Sequence, residues 1–518
     1  MKNVMLINIA SKDCRSNSFP LGISYISAAL SFCNVEIVDL NYIVTDELFQ
    51  KVSNKHFDVI GISCYTGNFF EASCLAKTIK EIDGKSLMVI GGYHATSEYE
   101  YIIGNHNEFD IAIRGRGEIP FVELIYAISN GQDLNEVHSI AYRKNGNVIV
   151  TASTKTANEN YLPDRKNENK YFLPLATEKI SCIATMRGCY FNCSFCSIAS
   201  NEWTSIYSKD IIRKDIENIV ANGGNSLYFV NPDFLCNRTC LENSLEIIRE
   251  YKEIKTFKIS TRADSILKNI DILETLFTLG CNSIEVGIES FSDSQLSRYN
   301  KHVTADDNIQ SYEAIMNYYG KYQFRYIHEL IPFDPWVSRE ELIYTIDFYL
   351  KNKFDYLELE PWLFTKLILY PNTVLRSKAE RESIISRDSH IEIPFWNFLD
   401  NDIAMIYSAL MRYKTTLLPK LNLVRDNMQY LIKSNEVTLA QKIVYLRIKE
   451  RLSRITVDYF MELLIRPISE YEEIFNNKAN AIEHYLKMSG LGNSIANKQE
   501  RWGLRNERDT GWMIVGSE

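Results

Sequence analysis

The sequence predicts an α/β protein in which two strand–helix series precede a helical region. Short apolar runs alternate with helix-length segments from the start to about Ser129, and the alternation resumes near Ile180. Such alternation is typical of βαβ units and parallel sheets. From about Pro371 the alternation ends and helical periodicity takes over. A chain of 518 residues also exceeds one ordinary core, so several domains are expected.

Four segments follow from these patterns. We expect a Rossmann-like (flavodoxin-like) domain over residues 1–140, a hairpin and linker over 141–178, the second series over 179–370 and a helical C-terminal domain over 371–518. The hairpin is expected because Asn145-Gly146 stands between alternating residues, and Asn-Gly accommodates the positive φ angles of a tight turn. The polar stretch over 152–170 predicts the linker.

The first series carries glycine at its strand ends. Strands are expected at residues 4–9, 35–40, 59–63, 87–90 and 111–113. In open parallel sheets ligands bind beyond the carboxyl ends of the strands, where glycine lets a ligand approach the backbone. Glycine also occurs in such loops for packing reasons, so a cofactor site and a packing role stay equally open. The glycines concerned are Gly61, Gly67, Gly91, Gly92, Gly115 and Gly117.

The second series predicts six strand–helix units. Its strands are expected at residues 180–186, 226–230, 257–261, 283–288, 325–330 and 356–360. Substrate chemistry then belongs at the carboxyl ends of these strands. In the C-terminal region an amphipathic stripe at spacings of four, three and four predicts a core face and not a catalytic one. The stripe consists of Ile448, Leu452, Ile455 and Tyr459.

Composition restricts the class of partner and the compartment. The chain is 46% hydrophobic and 24% charged, with a net charge of −9, which disfavours extended nucleic-acid and anionic-membrane surfaces. No run of about 18 apolar residues predicts a transmembrane helix, and the start lacks a signal-peptide pattern. Eleven cysteines in a chain of this length are too dilute for a disulfide scaffold. A cytoplasmic protein that acts away from membranes is therefore expected.

Three cysteines are the most specific chemical signal. Cys189, Cys193 and Cys196 form a C-x3-C-x2-C run with no second C-x2-C or H-x3-H downstream, which argues against zinc. Three thiolates on a four-iron cluster leave one iron open. An open iron can chelate the amino and carboxylate groups of S-adenosylmethionine (SAM). The spacing thus predicts a [4Fe-4S] cluster with an exchangeable position.

The cysteine run, with Phe195 beside its last member, resembles the cluster loop of the radical SAM superfamily. The segments over 19–25, 91–96 and 116–118 resemble the B12-binding domain that precedes many radical SAM cores. Together they resemble the class B cobalamin-binding radical SAM enzymes. The resemblance implies a partial TIM-like (β/α)6 barrel, a [4Fe-4S] cluster, SAM and cobalamin. It also implies an external electron donor of the flavodoxin or ferredoxin type.

The resemblance also implies site residues. Around SAM we expect Phe195, Arg262 and Glu289. The loop after the first strand, Asp13 to Ser18, lacks the usual cobalt-ligating histidine, so the lower face of cobalt is expected without a His ligand. The cobalamin candidates are Tyr65, Thr66, Gly67, Gly91, Gly92, His94, Gly115, Gly117 and Glu118.

Substrate contacts are expected on the rim of the second series. About half of the candidates are expected to be structural, because alternate strand positions point outward to the helices. The cysteines outside the cluster run are not assigned a role, since free cysteine is commonly buried as a small hydrophobe. The substrate candidates are Asn231, Asp233, His328, Glu358 and Trp362.

The function that the resemblance implies is methylation of an unactivated carbon, or of phosphorus, through a 5′-deoxyadenosyl radical and methylcobalamin. A natural-product or peptide-type substrate is expected, without a motif that identifies it. One alternative is a cobalamin-binding radical SAM enzyme that catalyses a rearrangement, cyclisation or oxidation; product mass distinguishes it. The other is an iron–sulfur redox or sensor protein carrying a corrinoid, which would form no 5′-deoxyadenosine.

Overall fold

The structure, a computed structural model, describes residues 1–9, 19–153, 161–172, 177–198, 204–352, 360–385, 395–433 and 438–488. Its strands are β1 Asn3–Asn8, β2 Asn34–Asp39, β3 Val59–Ser63, β4 Leu87–Gly91, β5 Ile111–Ile113, β6 Ile140–Lys144, β7 Asn147–Val150, β8 Ile180–Ile183, β9 Met186–Arg187, β10 Ser205–Ile206, β11 Ser226–Phe229, β12 Thr256–Arg262, β13 Cys281–Glu289 and β14 Arg325–Leu330.

The helices of the two strand–helix series are α1 Leu21–Ala29, α2 Thr45–Asn54, α3 Phe69–Ile82, α4 Tyr93–Asn105, α5 Glu118–Asn130, α6 Lys209–Ala221, α7 Arg238–Glu250, α8 Ala263–Lys268, α9 Leu273–Thr278, α10 Asp293–Arg298, α11 Ala305–Met316 and α12 Arg339–Lys351. The C-terminal region contains α13 Val374–Arg381, α14 Asn401–Thr416, α15 Leu418–Lys433, α16 Leu439–Ile465 and α17 Tyr471–Met488.

The first sheet has the strand order β2-β1-β3-β4-β5-β6-β7. Strands β1 to β5 pair in parallel, and the β6–β7 hairpin continues the sheet in antiparallel pairing. In β1, Met5 and Ile7 belong to one buried core, and Val4 and Leu6 belong to the core on the opposite face. Helices therefore cover both faces, as expected for parallel strands with unbroken apolar runs. The predicted doubly wound fold is confirmed.

The hairpin is part of this first sheet, because β6 pairs with β5 over Ile111–Ile113. The sequence placed the hairpin with the linker, since an Asn-Gly turn predicts two paired strands but not the sheet that they join. We propose a first domain that includes the hairpin. The other expected domain limits, near residues 178 and 370, stay proposals.

The second sheet has the order β14-β13-β12-β11-β8, with all strands parallel. These are five strands of the predicted partial barrel. The sixth, expected at residues 356–360, falls almost wholly outside the described residues. The strand expected at residues 180–186 is interrupted: β8 ends at Ile183, and β9 pairs instead with β10 as a separate two-stranded ribbon.

The C-terminal helices pack on the barrel helices and share their core. Leu452, Ile455 and Tyr459 are buried in the same cluster as the barrel residues, and Ile448 packs against it. Tyr459 also stacks on Tyr413 of α14, with ring centroids 4.7 Å apart. The predicted stripe is therefore a core face. Among the described helices, no stretch is both long enough and apolar enough to cross a membrane.

Candidate cofactor site

A cavity of about 840 Å³ lies where the carboxyl ends of the first sheet face the barrel. The first domain supplies strand-end and glycine-loop residues, whereas the barrel and its exit supply a largely apolar wall. Large ligands commonly bind at such domain junctions. The first-domain wall includes Asn8, Ser63, Gly91, Gly92 and Gly115, and the opposite wall includes Cys182, Ala184, Val230, Ile368 and Tyr370.

Eight of the nine predicted cobalamin residues line this cavity. They are Tyr65, Thr66, Gly67, Gly91, Gly92, Gly115, Gly117 and Glu118. The exception is His94, which is fully buried behind the loop. Its ring lies 4.5 Å from that of Phe69, its Nδ1 is 3.3 Å from Thr66 Oγ1, and burial lowers its pKa to about 4. The structure thus makes His94 a support for Thr66 and not a residue of the cofactor edge.

Two adjacent glycines serve different purposes. Gly92 has a φ of 99°, and a Cβ there would lie 2.4 Å from the carbonyl oxygen of Cys64, so the fold itself requires glycine. At Gly91, apart from its two chain neighbours, no atom of the described residues lies within 4 Å of the place a Cβ would occupy. Gly91 therefore leaves a bare stretch of backbone on the cavity wall, which a flat ligand such as a corrin ring could approach.

Tyr65 lines the same cavity as Gly91. Its side chain is 58% exposed and stacks on Tyr93, with ring centroids 6.0 Å apart. The loop is held by Asn68, whose Oδ1 accepts from the Tyr65 backbone N–H at 2.7 Å. Among the described lining residues none is a histidine. The described wall has room for a flat corrin ring, and the absence of a histidine ligand to cobalt stays a prediction, because the loop over 13–18 lies outside the described residues.

The cluster loop follows β9 and is held by the barrel. The backbone N–H of Ser194 donates to the Tyr299 carbonyl at 2.9 Å, and its hydroxyl donates to the Arg298 carbonyl at 2.8 Å. Cys189, Cys193 and Cys196 are all partly exposed, and none of them forms a disulfide bond. No three His, Cys, Asp or Glu side chains in the described ranges converge on a single metal ion. A four-iron cluster does not require such convergence, because each cysteine thiolate binds a different iron and the thiols therefore lie further apart.

Cationic groups lie next to these thiols. Arg262 Nη1 donates to Cys193 Sγ across 3.4 Å. Burial raises the pKa of Cys193, while the positive charges of Lys301 and Arg262 act in the opposite direction. Burial also raises the pKa of Cys189 to about 11. A bound cluster requires thiolates, so the neighbouring cations favour the form that it binds.

The predicted SAM residues surround the same loop. The Arg262 guanidinium lies 3.8 Å from the ring centroid of Phe191 and donates to Asp264. Glu289 has a φ of 57° and forms a buried ion pair with Lys301 at 2.7 Å. Phe195 packs edge-on against Tyr299, with centroids 5.4 Å apart. The structure brings Arg262 to the cluster loop, and all three SAM assignments stay predictions.

Three of the five substrate candidates are bound within the protein. Asn231 hydrogen-bonds the backbone N–H and the hydroxyl of Thr185. Asp233 accepts from the hydroxyls of Thr261 and Ser265 at 2.7 and 2.6 Å. With their polar atoms engaged and buried, these two side chains stabilise the loop after β11 and do not face a ligand.

His328 faces outward from the barrel. Its Nδ1 lies 2.7 Å from the Tyr349 hydroxyl of α12, and burial lowers its pKa to about 3. Because alternate strand residues point to opposite faces, His328 packs among helices while its neighbours point inward. Trp362 packs partly buried against the main core, and Glu358 lies outside the described residues.

The inward side chains that sequence reasoning missed are carboxylates. Glu285 Oε2 accepts from Tyr228 at 3.2 Å and from Ser260 at 3.0 Å, inside the barrel. Burial, together with the like charges of Glu289 and Glu285, raises the pKa of Glu329 to about 7. The sequence contains a signal for Glu329. Successive side chains of a strand point to opposite faces, so Glu329 points inward when its neighbour His328 points outward.

Two family models match the chain. One, described as a B12 binding domain, matches residues 12–125. The other, described as the Radical SAM superfamily, matches residues 183–348. The first match covers the glycine-lined sheet end, and the second covers the cluster loop and the strands β11 to β14.

Known proteins also resemble the chain. A methyltransferase of Pyrococcus horikoshii, described as uncharacterised, is 27% identical over 387 residues, covering 71% of this chain and 79% of the relative. The anaerobic magnesium-protoporphyrin IX monomethyl ester cyclase of Rubrivivax gelatinosus is 23% identical over 57% of this chain and 56% of the cyclase. The chain thus spans little more than half the length of that cyclase.

A solved structure has the same fold over the whole chain. It is that of the cobalamin-dependent S-adenosylmethionine radical enzyme OxsB, with aqua-cobalamin and S-adenosylmethionine bound. The TM-score is 0.73 at 18% identity, and the alignment covers 100% of this chain and 82% of the other. At that identity the similarity concerns the fold.

Proposed function

We propose that the chain, which matches the family models for a B12 binding domain and for the Radical SAM superfamily, methylates an unactivated carbon, or a phosphorus atom, of a small-molecule or peptide substrate. The observation that carries the proposal is the shared cavity. Glycine-lined strand ends form one wall, and residues on both sides of the cluster loop, including Gly188 and Ser197, reach the other. A methyl source and a radical source would thus face one substrate.

Residues of this chain would hold three groups. Cys189, Cys193 and Cys196 would hold the cluster, Arg262 and Glu289 would contact SAM, and the wall around Gly91 would hold cobalamin. When bound, the cluster and SAM supply a 5′-deoxyadenosyl radical, and cobalamin supplies the methyl group. The Pyrococcus relative is itself named a methyltransferase, which supports this reaction over other uses of the same groups.

The barrel side of the cavity is largely apolar. Ala184, Val230 and Ile368 line it, and their side chains have no polar group that would retain water there. Expulsion of water from a closed site suppresses side reactions of reactive species. Arg262 contributes differently, because it orients Cys193 and places a positive charge beside the cluster loop.

An external electron donor of the flavodoxin or ferredoxin type completes the proposal. The cluster loop is open to such a partner, because Tyr190, next to Cys189, is 53% exposed. A reducing, cytoplasmic setting suits both this donor and the cysteine thiols of the described residues, which form no disulfide.

A second candidate has its own support. The similarity to the Rubrivivax cyclase favours a reaction that uses the same groups without leaving a methyl on the product. The two candidates differ in product mass. A product heavier by one methylene supports methylation, whereas an isomer or a product that has lost two hydrogens supports the second candidate.

The experiment uses the full chain, purified without oxygen and reconstituted with iron, sulfide and hydroxocobalamin. After addition of SAM with a deuterated methyl group and a chemical reductant, we expect 5′-deoxyadenosine and S-adenosylhomocysteine. Cys193→Ala should abolish 5′-deoxyadenosine, whereas Cys74→Ala, which removes an exposed cysteine far from the loop, should not. Formation of 5′-deoxyadenosine by a protein that binds no corrin would contradict the methylation proposal.

A further inference from the structure

The cluster loop is bracketed by a small antiparallel ribbon. β9 precedes the loop and β10 follows it, with Ser205 paired opposite Arg187. Thr204, next to β10, donates from its hydroxyl to the carbonyl of Cys189 at 3.0 Å. The ribbon therefore sets the position of the first cysteine, and a displacement of the ribbon would displace the loop.

Side chains of the first domain contact both strands of this ribbon. Arg116 Nη1 donates to Ser205 Oγ at 2.5 Å, on β10. Glu118 forms an ion pair with Arg187, on β9. Arg116 and Glu118 are only 8% and 6% exposed, so both contacts are largely shielded from solvent. Charge-assisted hydrogen bonds in such surroundings hold geometry better than exposed ion pairs do.

The same segment forms part of the cavity wall. Gly115, Arg116, Gly117 and Glu118 all line the cavity in which we place the corrin. Gly115 has a φ of 72°, and its N–H donates to the hydroxyl of Thr96 at 2.9 Å. The segment over 115–118 thus faces the corrin position on one side and holds the cluster ribbon on the other.

We propose that Arg116 and Glu118 are positioning residues that couple corrin binding to the geometry of the cluster loop, so that cobalamin and SAM bind cooperatively. This inference rests on the proposed function, because it requires both ligands. It also reassigns Glu118, predicted as a cobalamin contact, to a role through Arg187. Coupling between two sites is reciprocal, so each ligand raises the affinity of the other by the same factor.

The test measures the SAM dissociation constant of the reconstituted full-length protein with and without hydroxocobalamin. The readout is the change that SAM causes in the electron paramagnetic resonance (EPR) spectrum of the reduced cluster. In the wild type we expect cobalamin to lower the constant about fivefold or more. Ser205→Ala should lose most of this factor, whereas Ser205→Thr should retain it because the hydroxyl remains.

Ser27→Ala is the control for a general weakening of the contacts around the first domain. It removes the hydrogen bond from the Ser27 hydroxyl to Asp164, at 3.0 Å, and leaves the ribbon untouched. In this variant cobalamin should lower the SAM dissociation constant by the same factor as in wild type. The inference would be overturned if cobalamin lowered the constant equally in Ser205→Ala and in wild type. It would also be overturned if both ligands bound to the wild type and cobalamin did not change the constant. Failure of the wild type to bind cobalamin or SAM would instead overturn the proposed function.

Discussion

Arg262, the last residue of β12, reaches Cys193 across 3.4 Å and so connects a barrel strand end to the centre of the cluster loop. Its guanidinium also covers the ring of Phe191 and donates to Asp264. A planar, forked cation is required to make all three contacts at once. Arg262 thus connects the barrel to the cluster loop, and it is the residue that we expect to bind the carboxylate of SAM.

Arg262→Lys should therefore weaken SAM binding about tenfold or more while the cluster still forms. Lysine keeps the charge but loses the fork and the stacking, and a charged hydrogen bond contributes about 1.5–3 kcal/mol. Titration of the reduced cluster with SAM, followed by EPR, measures the loss. Arg213→Lys, at an exposed ion pair with Glu250, is the matched control. An unchanged affinity in Arg262→Lys would remove Arg262 from the SAM site.

Gly91→Ala should lower the cobalamin affinity, whereas Gly92→Ala should lower the stability of the fold. Beyond its chain neighbours, the methyl group at residue 91 meets no atom of the described residues, so we expect a melting temperature like that of the wild type and a cobalamin affinity at least about tenfold lower. At residue 92 the positive φ and the Cys64 carbonyl make alanine strained, at a cost of about 1–3 kcal/mol or more. Thermal unfolding and corrin absorbance separate the two. Full cobalamin affinity in Gly91→Ala would place the corrin elsewhere.

Glu329 predicts a pH dependence of stability. Its pKa is about 7 in the folded chain against an ordinary value of 4.5, so the folded state holds the proton more tightly than the unfolded state. Stability should therefore fall as the pH rises from about 4.5 to 7, by on the order of 2–3 kcal/mol. Below this window the carboxyl group is neutral in both states and contributes no difference.

Glu329→Gln removes this titration. Relative to wild type, the variant should be more stable at pH 8, and most of this gain should be gone at pH 5, as measured by urea unfolding of the cofactor-free protein. Glu250→Gln, at the surface ion pair with Arg213, should show no such gain at high pH. A stability difference independent of pH would mean that Glu329 is not protonated in the folded barrel.

Tyr349→Phe should show that His328 is structural. Loss of the hydroxyl 2.7 Å from His328 Nδ1 should cost about 1–2 kcal/mol of unfolding free energy, because both groups are buried. Tyr344→Phe, whose hydroxyl bonds to Glu340 at an exposed position, should cost little. Denaturant unfolding compares the two variants. Cofactor affinities that fall in Tyr349→Phe at unchanged stability would return His328 to the site.

Sequence reasoning located the strand ends but not the direction of every side chain there. Asn231, Asp233 and His328 lie near carboxyl ends of strands, as expected, yet their polar atoms meet Thr185, Thr261 and Tyr349. In β14, His328 points outward and Glu329 inward, a difference of one residue. The interruption after Ile183 escaped prediction as well, because β9 leaves the sheet and pairs with β10, whose residues lie 18 and 20 positions further along the chain.

Local spacing along the chain was enough to predict the parallel α/β elements, the three cluster cysteines and the glycine-rich strand ends. Hydrophobic periodicity, backbone freedom at glycine and thiolate spacing are properties of short segments. In contrast, it took the folded chain to show that Gly91 faces a cavity while Gly92 packs on Cys64, and that Glu118 pairs with Arg187. These outcomes depend on contacts between segments distant in sequence, whose relative positions no local pattern encodes.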